Sequence, residues 1–135
     1  IFLRLVLPGQ FLIALLFFLS VNIIKAAGVP TILSFQGRLA NSSGSLLGGS
    51  GTVYYFKFSI WDNSSSTSGT RLWPTSAPSV SSTTVRQGVF NIDIGDTANG
   101  YPDTLDYNFN ANDAIYLQIE VGTTSTCTFQ TLSPR

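Results

Sequence analysis

The 135 residues are enough for one domain or two small ones, and they carry seven basic and seven acidic side chains and no histidine. Charged residues make up 10 % of the chain, against about 25 % in an ordinary soluble protein, so Ser, Thr, Asn and Gly do much of the solvating. Without histidine most metal sites and most Ser or Cys nucleophile systems are ruled out, and without a basic stripe there is no footprint for nucleic acid.

Phe11 to Ile24 is a predominantly apolar run of fourteen residues in which only Ser20 and Asn22 are polar. A membrane-spanning helix needs roughly 20, whereas a signal-peptide core is shorter. Arg4 supplies a positive n-region, and Pro8-Gly9-Gln10 interrupts any longer helix. Cleavage after Ala26 places Ile24 at the −3 position, which is acceptable; cleavage after Ala27 places Lys25 there, which is poor. Residues 1–27 are therefore expected to be a signal helix, with a retained membrane anchor as the alternative and the only route to a membrane. In either case the body, 28–135, is exported and secreted or held at the cell surface. Without Arg4 and Lys25 that body has five basic and seven acidic residues, a net charge near −2. The absence of any methionine and the abrupt end at Arg135 lead us to expect a fragment truncated at its C-terminus.

Beyond the leader the apolar residues alternate with period two, the signature of half-buried strands. Thr31 to Leu39 is the first, with Leu33, Phe35 and Leu39 on one face. A Gly/Ser-rich loop follows, and then Thr52 to Trp61, the strongest strand, with Tyr54, Phe56, Phe58 and Ile60 inward and Tyr55, Lys57 and Ser59 outward. Asp62 to Thr70 is a Ser/Thr/Gly loop leading to a short strand at Arg71-Leu72-Trp73. Val80 to Val85 is polar and β-branched, as an exposed edge strand would be. Gln87 to Ile94 turns Phe90, Ile92 and Ile94 inward. A long Asp/Asn-rich loop, Gly95 to Asp113, precedes Ile115 to Val121, and Thr126 to Leu132 is the last candidate. About seven strands in ~105 residues predict an all-β, immunoglobulin-like antiparallel β-sandwich, with a closed barrel as the runner-up.

Several motifs occur in a fixed order along this body. They are Val29-Pro30 through Gln36-Gly-Arg-Leu39 with Ser43-Gly44, Phe56 through Trp61-Asp62, Gly69-Thr-Arg-Leu-Trp73, Gly88-Val-Phe90, Tyr116-Leu117 and Leu132-Ser-Pro-Arg135. Together they resemble an N-terminal β-sandwich module of secreted bacterial surface and tail-fibre-like proteins. Leu46 stands where that pattern commonly has proline, and the segment around Cys127 is unlike it. The resemblance implies a displayed module that contacts other surface or fibre segments, with the working part of the protein often elsewhere.

The chemistry-bearing residues point away from catalysis. A carboxylate pair of glycosidase type would have to come from Asp93, Asp96, Asp103, Asp106, Asp113 and Glu120, and Asp93 and Glu120 fall on outward strand faces. Asp106-Tyr-Asn108-Phe-Asn110 opens like an EF-hand loop but has Ala111 at position six and Leu117 at position twelve. A looser calcium site from Asp103, Asp106 and Asp113 is the one cofactor candidate; the plainer reading is that Asp and Asn favour turns. Exposed rings could stack on a cell-surface glycan: Trp61, Trp73, Tyr55 and Tyr116 head that set, with Tyr101 and Tyr107 behind them. Trp61 and Trp73 flank one loop and would lie close together. Against that, aromatic residues pack in strands for their own sake. Cys127, without a histidine, is a poor nucleophile and is expected to be a small buried side chain. Asn41-Ser-Ser and Asn63-Ser-Ser fit glycosylation acceptors in exposed loops. The expected role is a non-catalytic extracellular structural or interaction module, the alternative a carbohydrate-binding module.

Overall fold

The computed structural model describes residues 31–135, so the expected signal helix or anchor at 1–27 lies outside the described residues. The described chain is all β, with seven strands in two antiparallel sheets and one short 3₁₀ turn at Thr97–Asn99. No helix among the described residues is long and apolar enough to cross a membrane.

The strands are β1 (Leu33–Arg38), β2 (Thr52–Trp61), β3 (Arg71–Trp73), β4 (Ser81–Val85), β5 (Val89–Ile94), β6 (Tyr116–Gly122) and β7 (Gln130–Thr131). The larger sheet runs β3-β2-β6-β7, with β4 also paired to β2. Strand β2 is long enough to hold β4 along Thr52–Phe56 and β3 along Ile60–Trp61 on one edge, with β6 along Tyr55–Trp61 on the other. The smaller sheet is β1 with β5, from Leu33 opposite Ile94 to Arg38 opposite Val89.

Alternation along the strands decides which side chains meet between the sheets. Phe56, Phe58 and Ile60 of β2 are buried, as are Val85, Phe90 and Ile94. The Phe56 and Phe90 rings stack at 4.6 Å between centroids, and Phe35 meets Phe58 edge-on at 6.0 Å. Burying side chains of this size contributes about 1.5–3 kcal/mol each before chain entropy is set against it. Close approach of β1 to β5 depends on Gly37, where a Cβ would come within 2.4 Å of the Phe90 ring.

Strands β4 and β5 are joined by the two-residue turn Gln87-Gly88, both at positive φ (47° and 82°), with Arg86 and Val89 exchanging backbone hydrogen bonds of 2.9 and 2.8 Å. Mirror-image turns of this kind match the twist of a hairpin. The ladder ends at that pair, because β4 continues into one sheet and β5 into the other.

The long loop after β5 contributes to the core. Asp96 caps the Thr97–Asn99 turn by accepting from Asn99 N, and Gly100 closes it in the left-handed region. The loop then buries Tyr101 and Leu105 against the sheets. The last expected strand is the shortest: Gln130–Thr131 pairs with β6, and Leu132 N extends the contact by donating to the Ile119 carbonyl at 2.9 Å.

Candidate functional site

The outer face of the larger sheet carries Tyr55, Lys57, Ser59 and Trp61 from β2 opposite Gly122, Glu120, Gln118 and Tyr116 from β6. The C-terminal segment Phe129 to Arg135 crosses this face. The Lys57 ammonium sits 4.4 Å from the centroid of the Phe129 ring, and the Arg135 guanidinium 3.8 Å from that of Trp61. Gly122 makes room at one end, since a Cβ there would come within 2.6 Å of Cys127 Sγ.

Arg135 is the most heavily bonded side chain of the face. Its Nε donates to Gln118 Oε1 at 2.6 Å, and its Nη1 to the carbonyls of Asn63 (3.1 Å), Ser68 (2.6 Å) and Ser65. Nη2 reaches the Ser66 carbonyl at 3.4 Å, and the backbone N–H reaches that of Ser64 at 3.1 Å. The 62–70 loop thus curls its carbonyls around one cation. Its neck is closed by Asp62, which accepts from Thr70 N at 2.7 Å. Partial desolvation draws the guanidinium below its usual range, opposed by the charge of Asp62.

Of the expected glycan platform, Trp61 and Tyr116 are brought together as cross-strand neighbours, both half-buried, while Tyr55 stands at the far end opposite Gly122. Trp61 is not a free platform: Arg135 occupies one face of its ring, and its Nε1 donates to Ser59 Oγ at 2.8 Å. Trp73 corrects the expectation outright. It is 1 % exposed, pairs with the inward Ile60, and donates Nε1 to the Thr104 carbonyl at 2.9 Å. Because Trp73 lies opposite Ile60 and Trp61 is the next residue along β2, alternation places the two tryptophans on opposite faces of the sheet. They flank one loop without sharing a surface.

The aspartates expected to hold calcium do not gather either. Asp103 accepts from Ser79 N (2.9 Å) and Ser79 Oγ (2.6 Å), while Asp106 and Asp113 are exposed. Among the described residues no three His, Cys, Asp or Glu side chains converge on a point. The two Asn-Ser-Ser sequences build turns: Asn41 Oδ1 accepts from Ser43 N and Ser45 N, and Asn63 Oδ1 from Ser65 N.

Two cavities open between the sheets. One, of about 590 Å³, is lined by Leu39, Leu47, Tyr54, Val121, Cys127 and Leu132, among others. Cys127 is half-buried there rather than in the core, and its Sγ donates to the Thr124 carbonyl at 3.3 Å. Hydrogen bonding by the Thr124 backbone is the main cause that draws this thiol below its ordinary value.

The other cavity, of about 400 Å³, lies between the diverging β4 and β5 and the Asp96–Pro102 turn. Tyr101 lines it, 7 % exposed, and its phenol oxygen is buried without a hydrogen-bond partner among the described residues. The nearby Ser81 hydroxyl, which could offset part of that deficit, is directed to the Phe56 carbonyl at 3.4 Å. Burial, reinforced by the charge of Asp103, pushes the phenol far above its ordinary range. Nothing in the sequence distinguished Tyr101 from the other loop aromatics. Its burial follows from the capped turn, in which Tyr101 N bonds to the Asp96 carbonyl at 3.0 Å.

Neither the curated proteins nor the solved structures contain a match to this chain. Residues 34–135 match the sequence model of the family described as Domain of unknown function (DUF8740), and the chain belongs to that family.

Proposed function

We propose that this chain is a non-catalytic structural and interaction module, an immunoglobulin-like sandwich displayed outside the cell that contacts other surface or fibre segments by strand addition. The observation that carries this reading is the outer edge of β1. Among the described residues that strand pairs with β5 alone, and Leu33, Ser34, Gln36 and Arg38 are exposed. Proteins blunt such edges with proline, lysine or a bulge, or keep them very short. Strand β1 has six residues, no proline, a single charge at its last position (Arg38) and an unbroken register with β5. Strands β3 and β7 end their edges after three and two residues. The free side of β4, the edge favoured from its polar sequence, turns toward β5, and Thr83 Oγ1 already bonds the Asn91 carbonyl at 3.1 Å. An edge left open in this way suits main-chain recognition of an extended partner.

The polar chemistry supports the non-catalytic part of the reading. Five of the seven acidic residues are engaged in local hydrogen bonds: Asp62 with Thr70, Asp93 with Ser34, Asp96 with Asn99, Asp103 with Ser79 and Glu120 with Gln118. These carboxylates fasten loops and strands.

The test is a Leu33→Lys/Gln36→Lys variant of the full chain, which places two charges on the exposed edge without touching the core. It is expected to unfold at the wild-type temperature and to lose roughly tenfold or more of its cross-linking to neighbouring chains on the producing cell. Undiminished cross-linking would rule out β1 as the contact.

A further inference from the structure

The cleft between β4 and β5 has features that packing alone does not require. Past the Gln87-Gly88 turn the two strands part into different sheets, and their facing edges are spanned by the Thr83–Asn91 bond. The floor holds Tyr101, nine-tenths buried, with a phenol oxygen that makes no hydrogen bond among the described residues and has the Ser81 hydroxyl as its nearby polar neighbour. A buried hydroxyl without a partner is uncommon, and among the described residues Tyr101 carries the one buried side-chain polar atom left without a hydrogen bond. Tyr101 is also held rigidly, by the Asp96-capped turn and the left-handed Gly100 before it.

The rim narrows the ligand class. It presents the Ser82 hydroxyl, the Asn91 and Asn99 amides and the carboxylates of Asp93 and Asp96, with no basic residue among the lining groups. Asp93 receives the Ser34 hydroxyl on Oδ1 at 2.6 Å and keeps Oδ2 for another donor. Two carboxylates without a cation oppose phosphates, sulfates and acidic sugars. A ligand rich in neutral hydroxyls can donate to Asp93 and Asn91 and accept from Ser82 and Tyr101. At about 400 Å³ the cavity lies toward the small end of the ~300–1,000 Å³ range of small-molecule sites.

We infer that this cleft binds a neutral sugar, a terminal pyranose of a glycan whose hydroxyls engage Asp93, Asn91, Ser82 and Tyr101. The sugar adds to the β1 contact and does not depend on it. It also differs from stacking on exposed aromatic rings, since recognition here is by hydrogen bonding in a cleft remote from the Trp61 face.

The experiment is a titration of the isotope-labelled full chain with methyl glycosides of neutral hexoses and an N-acetylhexosamine, followed by amide chemical shifts, with glucuronate as the acidic comparator. At least one neutral glycoside is expected to give saturable shifts confined to residues 81–83, 91–93 and 99–101, and glucuronate none. Tyr101→Phe should weaken binding about three- to tenfold, the loss of one neutral hydrogen bond, without lowering the unfolding temperature. Asn91→Ala, on the exposed rim, should weaken it similarly and keeps the test independent of any folding defect at Tyr101. The Leu33→Lys/Gln36→Lys variant should keep the sugar response intact, so the two readings fail separately. Absence of saturable shifts, an equal response to glucuronate, or shifts gathered around Trp61 would overturn the inference. So would binding in the cleft by an extended peptide and not by any sugar, which would make the cleft a strand-accepting slot.

Discussion

The Arg135 guanidinium lies 3.8 Å from the centroid of the Trp61 ring while donating to carbonyls of the 63–68 loop. This ties the end of β2 and the loop that follows it to the C-terminal segment, which is distant from both in sequence. Planar geometry and five donors make arginine suited to stack and bond at once, which the lysine ammonium cannot do. The loop has no apolar residue to bury between Asp62 and Thr70, so its shape depends on hydrogen bonds. It is ordered around a cation in place of a hydrophobic anchor.

Removing that cation should therefore loosen the loop. Arg135→Ala is expected to cost about 1–3 kcal/mol, from the cation–π contact and the net value of hydrogen bonds to a charged group. Arg135→Lys should restore less than half of the loss. Amide exchange of Ser64 to Ser68 would accelerate in both variants, and protection as in the wild type would show that the loop holds its own conformation.

Trp73 has a different role from Trp61 and should respond differently. Trp73→Phe removes core volume and leaves the Thr104 carbonyl without its 2.9 Å donor, for an expected cost of about 1–3 kcal/mol. A change of 1 kcal/mol moves the midpoint of a domain of this size by roughly 4–8 °C. Trp61→Phe, half-buried, should move it less, and chemical denaturation of the two variants side by side would reverse this assignment if Trp61→Phe proved the costlier.

How these two tryptophans are placed shows what a sequence can reveal and where it stops. Period-two alternation separates Phe56, Phe58 and Ile60 from Tyr55, Lys57 and Ser59, and the structure buries the first set in the core, while Ser59 is buried too, on the other face where Trp61 Nε1 donates to its hydroxyl. The same rule cannot foresee the register shift at Ile60/Trp61, because a bulge costs one residue and leaves no composition mark. Strands whose inward residues are apolar were legible. Strand β7 was legible only as a candidate somewhere within Thr126 to Leu132, because Gln130 and Thr131 are both exposed and pair through backbone alone. Arg135 could be noticed only as part of Leu-Ser-Pro-Arg, since its partners are main-chain carbonyls that every sequence has. The unsatisfied phenol of Tyr101 is a property of the folded loop.

Gly95 marks the point where β5 passes into that loop, and its backbone lies at φ 90°. A Cβ there would come within 2.3 Å of the Thr31 carbonyl oxygen and 2.5 Å of Leu105 Cβ. Both the left-handed conformation and the backbone contact oppose any side chain. Gly95→Ala is expected to cost more than about 2 kcal/mol. Gly44→Ala, also at positive φ but with nothing within 4 Å, separates strain from collision. Equal costs at the two sites would mean that the contact with Thr31 and Leu105 is readily relieved.

Tyr101 gives a prediction of opposite sign. Its buried oxygen has no partner, so Tyr101→Phe removes a desolvation cost of about 1–3 kcal/mol while keeping the ring in place, and the unfolding temperature should stay level or rise. Alkali supplies the second half of the test. The folded-state pKa is raised above the ordinary value of 10.0, first by burial and then by Asp103, so above that pH the unfolded chain gives up a proton that the folded chain retains. The stability linked to Tyr101 is complete below pH 10 and declines as pH climbs further. The phenylalanine variant should lack this part of the alkaline decline, so the stability gap between the two proteins widens in favour of phenylalanine above pH 10. A gap that stays constant through that range would mean that burial does not hold the proton on the phenol.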